Sequence, residues 1–151
     1  MDNQQRKTEI DLAWLGGFLD GEGCLHLRKQ VGARLRAMGK VYYRPTLRIC
    51  NTHEPTLQVV RRIFEANGFP CHVSHRDYDN INPSYKRAWD VEVSGIKRMA
   101  RILPVLIPYL HTKREQAETM LEFCESRLSK APSAPLTEHE TALLRTFRPS
   151  L

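Results

Sequence analysis

One segment near the amino end restricts the fold more than any other part of the chain. Leu12, Leu15 and Leu19 recur at i, i+3 and i+7 and form one apolar face of a helix expected over Thr8 to Gly21. Thr8, with Asp11 three residues on, supplies a capping signal at its start. Ala13, Gly17 and Gly21 recur every fourth residue and form a second stripe of small side chains, which lets another backbone come close. The helix should stop at Asp20-Gly21-Glu22-Gly23, where glycine permits a turn.

Period-two patterns follow. Cys24 to Val31 places Leu25 and Leu27 on one side and His26, Arg28 and Gln30 on the other. Val41 to Asn51 places Val41, Tyr43, Leu47 and Ile49 against Tyr42, Arg44, Thr46 and Arg48. Gly32 to Lys40 between them reads as a flexible, basic loop. A second helix is expected over Glu54 to Asn67, with Pro55 in its first turn and Gly68 past its end. Two further strands are expected near Pro70 to Arg76 and Tyr85 to Val93. Ser94 is placed to cap a third helix ending near Leu103, and Thr112 with Glu115 a fourth ending near Leu128. Ser129 to Pro135 reads as a linker, and Thr137 with Glu140 caps a short last helix. The order αββαββαα implies an α+β domain over residues 1–130 and a tail over 131–151.

With 151 residues, 41% hydrophobic and 26% charged, the chain suits one folded domain rather than a disordered one. Its net charge of +6 favours a polyanionic partner, nucleic acid first and an acidic membrane surface second. The apolar stretch Ile102 to Leu110 is short and broken by Pro104 and Pro108, so no membrane span is expected. The amino-terminal residues carry no apolar signal region, so secretion is not expected. Cys24, Cys50, Cys71 and Cys124 form no CxxC pair and read as free thiols. Cys71-His72-x-x-His75 has metal-ligand residue types, but neighbouring strand residues face opposite ways and make a poor common site. Asp77-x-Asp79-Asn80-x-Asn82 lacks the glycine and final glutamate of a calcium loop, where Ala88 stands.

Charge placement is the sharper clue. Between Cys24 and Asn51 there are seven Lys or Arg and no Asp or Glu. A solvated strand face with a charge bias would account for part of this. A β-ribbon read against DNA accounts for more, because such a ribbon fits the major groove and Arg, Gln, His and Tyr can bond base edges there. Glu22, set between two glycines beside that basic sheet, is not explained by packing, and reads either as part of an ordinary surface turn or as a carboxylate placed for chemistry. A carboxylate at a phosphate site implies a divalent cation, since it would otherwise repel the substrate.

Leu15-Gly16-Gly17-Phe18-Leu19-Asp20-Gly21-Glu22-Gly23 resembles the LAGLIDADG motif of homing endonucleases. It departs in Gly16, where Ala is common, and in Glu22, where Asp is common. The element order is similar to that family's αββαββα domain over roughly residues 8 to 130. The resemblance implies a four-stranded antiparallel, saddle-shaped sheet that holds DNA. With one motif per chain it implies the homodimeric subfamily, packed through Ala13, Gly17 and Gly21, and a near-palindromic target. It implies Mg²⁺, two or three ions per dimer at the interface, held by Glu22 and the Gly21 carbonyl. It puts a catalytic lysine at Lys113 and a water-positioning side chain at Asn51, with Arg61 and Arg62 as further basic candidates. Asp20 is assigned to the helix end and turn rather than to chemistry.

The DNA-contacting set is then His26, Arg28, Gln30, Arg34, Arg36, Lys40, Tyr42, Arg44, Thr46 and Arg48, joined by His72, Ser74 and Arg76. Arg28, Arg44 and Arg48 are the expected guanine readers. The implied activity is intron-encoded, site-specific cleavage of double-stranded DNA leaving short 3′ overhangs. No small-molecule substrate or membrane partner is expected. The implied setting is a chloroplast or mitochondrion, or a prokaryotic cytoplasm. An RNA maturase and a cleavage-inactive DNA-binding protein are the alternatives.

Overall fold

A computed structural model describes residues 1–147; the last four residues of the expected tail, 148–151, lie outside the described residues. The elements in chain order are α1 (Asn3–Glu22), β1 (Gly23–Gln30), α2 (Ala33–Ala37), β2 (Tyr42–Asn51), α3 (Glu54–Ala66), β3 (His72–Arg76), β4 (Ala88–Ser94), α4 (Ile96–Leu106), α5 (Arg114–Leu128) and α6 (Glu138–Phe147), with a 3₁₀ turn at Ile107–Tyr109. The four strands form one antiparallel sheet in the order β1-β2-β4-β3. This is the expected α+β arrangement. No helix of the described residues is long and apolar enough to cross a membrane.

The alternation sorts the sheet into two faces. Leu25, Leu27, Leu47, Ile49, Val91 and Val93 all point into the core, each no more than 2% exposed. They pack under the buried faces of the helices, among them Leu12, Leu15 and Leu19 of α1 and Met99, Ile102, Leu103 and Leu106 of α4. Leu144 of α6 belongs to the same core. The other face of the sheet carries the polar residues.

Several local expectations are corrected. The first helix begins at Asn3, because Asp2 and Gln5 close a reciprocal capping box ahead of Thr8 and Asp11. The loop after β1 contains a helical turn, α2, that carries Arg34 and Arg36. Ser94 caps nothing; it ends β4, and Gly95 starts α4 at φ +107°, a left-handed conformation that favours glycine. That helix runs through Pro104 to Leu106, the buried apolar face outweighing the lost backbone bond. Thr112 and Glu115 form no capping box, since Lys113 holds the cap position without a side-chain bond. By contrast, Thr137 and Glu140 do form theirs, with both bonds at 3.1 Å.

Glycine in the motif helix has two distinct uses. A Cβ at Gly16 would lie 2.6 Å from the Tyr109 Cβ and carbonyl oxygen, so α1 and the 3₁₀ turn touch backbone to backbone there. This explains the departure from Ala. At Gly17 and Gly21 a Cβ would meet nothing within 4 Å, and both residues are exposed.

Candidate functional site

The end of α1 is held by residues distant in sequence. The Asp20 carboxylate accepts the His111 N–H at 2.7 Å and the Lys113 N–H at 2.9 Å. The Lys113 Nζ in turn donates to the Asp20 carbonyl at 2.6 Å. Burial raises the Asp20 carboxyl pKa, but the backbone bonds from His111, Lys113 and Thr112 and the Lys113 charge outweigh it, leaving Asp20 below the usual carboxylate range. Lys113 looks misplaced when only the start of α5 is considered. Its ammonium in fact sits on the carbonyl end of α1, where the helix dipole favours a cation.

The next two residues, Gly21 and Glu22, are exposed. Glu22 directly precedes β1, whose first residue pairs with Ile49, so it lies beside Cys50 at the end of β2. Burial, then the Asp90 carboxylate, and more weakly the Glu22 charge, push the Cys50 thiol up. Asn51 ends β2, and its Oδ1 accepts the His53 N–H at 2.9 Å, ordering the entry to α3. Arg61 and Arg62 are exposed on α3, and Arg61 pairs with Glu65 at 2.8 Å.

The polar sheet face extends from this corner. Register places Cys24, His26, Arg28 and Gln30 opposite Arg48, Thr46, Arg44 and Tyr42. It continues through Ser94, Glu92 and Asp90 of β4 to His72, Ser74 and Arg76 of β3. One face therefore gathers the strand residues expected to meet DNA. Arg34, Arg36 and Lys40 lie beyond its far end, in and after α2.

Three points differ from the sequence reading. Thr46 is on the expected face but only 1% exposed, flanked by His26 and Ser94, with Arg44 reaching the Ser94 hydroxyl past it at 3.0 Å. It is not a surface contact. The face is also not uniformly basic, because β4 adds Asp90 and Glu92. Asp90, 4% exposed, binds Arg48 at 2.6 Å and Arg76 at 3.4 Å. Finally, Gln116 of α5 donates to the Leu25 carbonyl at 3.4 Å, tying α5 to β1 near the same corner. The residues missed carry no local signal: Asp90 sits in a strand that reads as plain alternation, and its partners are 14 and 42 positions away.

Among the described residues no group of three His, Cys, Asp or Glu side chains could hold a metal ion. At this corner one chain presents the exposed carboxylate of Glu22 beside the carbonyls that end α1. On α1, Ile10, Ala13, Trp14, Gly17 and Gly21 form an exposed face, with Trp14 stacked on Phe18 at 5.1 Å.

No protein-family model matches the chain, and no curated protein matches it. Solved structures do. The homing endonuclease I-CvuI, in complex with its target, is 24% identical over 79% of this chain and 68% of its own, with a TM-score of 0.64. The group I intron-encoded homing endonuclease I-CeuI, complexed with DNA, is 13% identical over 92% of this chain and 66% of its own, with a TM-score of 0.72. The LAGLIDADG homing endonuclease I-LtrWI, bound to target DNA, is 19% identical with a TM-score of 0.65; this chain covers 43% of it. This chain has the LAGLIDADG fold. Within that fold the nonapeptide Leu15–Gly23 closes α1, and Gly21 and Glu22 stand at its exposed end.

Proposed function

We propose that the protein is a homodimeric, divalent-metal-dependent endonuclease that cuts a long, near-palindromic DNA site. The observation that carries this reading is the corner where exposed Glu22 leads into the polar sheet face, two residues past the Asp20 carbonyl that takes the Lys113 ammonium. The fold shared with structures solved on DNA supports it.

The open α1 face would receive the same face of a second copy. Glycine at positions 17 and 21 would let the backbones approach, and the two Glu22 carboxylates would meet at the seam. One carboxylate per chain and neighbouring carbonyl oxygens are hard donors that suit Mg²⁺, which is usually held by one or two carboxylates plus substrate phosphates. Bound by Glu22 and the Gly21 carbonyl, two or three ions per dimer would stabilise the attacking and leaving oxygens and acidify a water.

The chain's own groups would do the rest. Lys113 would offset charge that builds on the scissile phosphate, held in place by its Asp20 contacts. Asn51 would orient a water through its amide nitrogen, since its oxygen is occupied by His53. Arg28, Arg44 and Arg48 would read guanines, with Arg34, Arg36 and Lys40 on phosphates. Each strand would be cut once, leaving short 3′ overhangs.

The test is digestion of a randomised duplex library in Mg²⁺ with sequencing of the ends. Discrete two-strand cuts are expected from the native protein. Glu22→Gln should bind the same sites and cut none; normal cutting by that variant would refute the assignment.

A further inference from the structure

Asp90 occupies an unusual place for a carboxylate, the middle of the polar sheet face with only 4% of its surface exposed. Register sets it between Cys50 on β2 and Ser74 on β3. Arg48 reaches it from one side, Nε and Nη2 both 2.6 Å from Oδ1. Arg76 reaches it from the other, Nε and Nη2 both 3.4 Å from Oδ2. A single carboxylate therefore clamps two guanidinium groups across three strands, one on each oxygen.

A guanidinium carries five N–H donors in a rigid plane. Binding Asp90 through Nε and one Nη2 proton leaves the opposite edge of Arg48 available, and its side chain remains 27% exposed. Such an arginine has lost most of its rotational freedom before any ligand arrives, and part of its charge is cancelled. The first effect favours a geometrically exacting contact, such as two parallel bonds to guanine. The second disfavours loose attraction to phosphates.

We infer that Asp90 is a positioning residue for DNA recognition, fixing Arg48 and Arg76 as base readers rather than phosphate contacts. The inference rests on the endonuclease reading above. It separates the arginines of the face into kinds. Arg48 and Arg76 are set by a buried anion, Arg44 by the neutral Ser94 hydroxyl, and Arg28 forms no ion pair with a carboxylate among the described residues.

The test uses native, Asp90→Asn, Arg48→Ala and Arg76→Gln proteins. Each is bound to a randomised duplex library without added divalent metal, and selected sequences and salt dependence are read. Arg48→Ala identifies the base pairs under Arg48. Asp90→Asn should lose about tenfold of the preference at those pairs. It should also bind random duplex with a log–log salt slope steeper by about one, as a released guanidinium finds a phosphate. A lower Tm with unchanged preferences and slope would make Asp90 a clamp for the fold and overturn the inference. Arg76→Gln alters an exposed side chain and guards against a misfolded Asp90 variant. It should shift preferences under Arg48 as well as its own, and strictly independent shifts would also overturn the inference. A native protein that selects no sequence would remove the endonuclease reading, and this inference with it. A native protein that selects sharply while the variants keep its profile would remove this inference alone.

Discussion

Asp20 grips Lys113 at two points, its carboxylate taking the lysine's backbone N–H at 2.9 Å and its carbonyl taking the ammonium at 2.6 Å. The contact joins the last turn of α1 to the cap residue of α5 across 93 positions of chain. An amide in place of the carboxylate offers one acceptor where two N–H groups need them. Asp20→Asn should therefore cost about 1–3 kcal/mol at pH 7, measured by urea unfolding. Because the folded carboxyl titrates below its unfolded value near 3.8, its contribution is present above that value and is lost as pH falls through the folded pKa. The gap between native and variant stabilities should close below about pH 4.

Adjacent glycines of the motif should respond in opposite directions. Gly16→Ala drives a Cβ into the Tyr109 backbone at 2.6 Å and should destabilise by about 1–3 kcal/mol. Gly17→Ala meets open space within the chain and should stabilise the isolated subunit by roughly 1 kcal/mol through helix propensity. If α1 faces a second copy, Gly17→Ala should also weaken self-association in sedimentation equilibrium. Thermal melts of the two variants, with that measurement, check both halves.

At the opposite pole, Arg127 and Glu140 form an ion pair at 3.1 Å with side chains 6% and 0% exposed. Burial raises the Glu140 carboxyl pKa, but the Thr137 N–H and then Arg127 pull it below the usual range. Glu140→Gln leaves Arg127 buried without its counter-charge and should cost about 3–5 kcal/mol. In the native protein this contribution is present above the unfolded value and is lost as acid takes pH through the folded one. Chemical denaturation across pH 3 to 7 should show a steep acid limb that Glu140→Gln flattens.

Thiol chemistry should follow exposure. Cys24 is exposed, Cys50 and Cys71 are partly covered with raised pKa values, and burial pushes the Cys124 thiol up to about 12. Iodoacetamide at pH 8 should alkylate Cys24 first and Cys124 only after unfolding, since the thiolate is the reacting form. Peptide mass mapping against time gives the order.

The sheet was legible because a strand signals its two faces every second residue, and Leu25, Leu27, Leu47 and Ile49 follow that rule against Arg28, Arg44 and Arg48. The Thr137–Glu140 box was legible for a similar reason, its partners being three residues apart. Thr112 and Glu115 carry the same pattern, but Asp20 had already taken the neighbouring N–H groups from another helix. No short-range rule encodes that competition. Thr46 shows the other failure: alternation gives a side chain's direction, but the neighbours that cover it come from Arg44 and Ser94. The acidic contribution of β4 to the face was hidden likewise, because strand order decides which segments lie beside Arg48.

The backbone contact at Gly16 and the Asp20–Lys113 tie lie on one side of the motif helix, both formed with the segment from Tyr109 to Lys113. A gene fragment ending at Leu110 would encode all four strands, yet its product would lack the lysine and the N–H groups that hold the helix end. Splitting the protein there should leave a carboxylate with no fixed address, whereas the exposed stretch from Asp77 to Lys86 offers a cut that spares it.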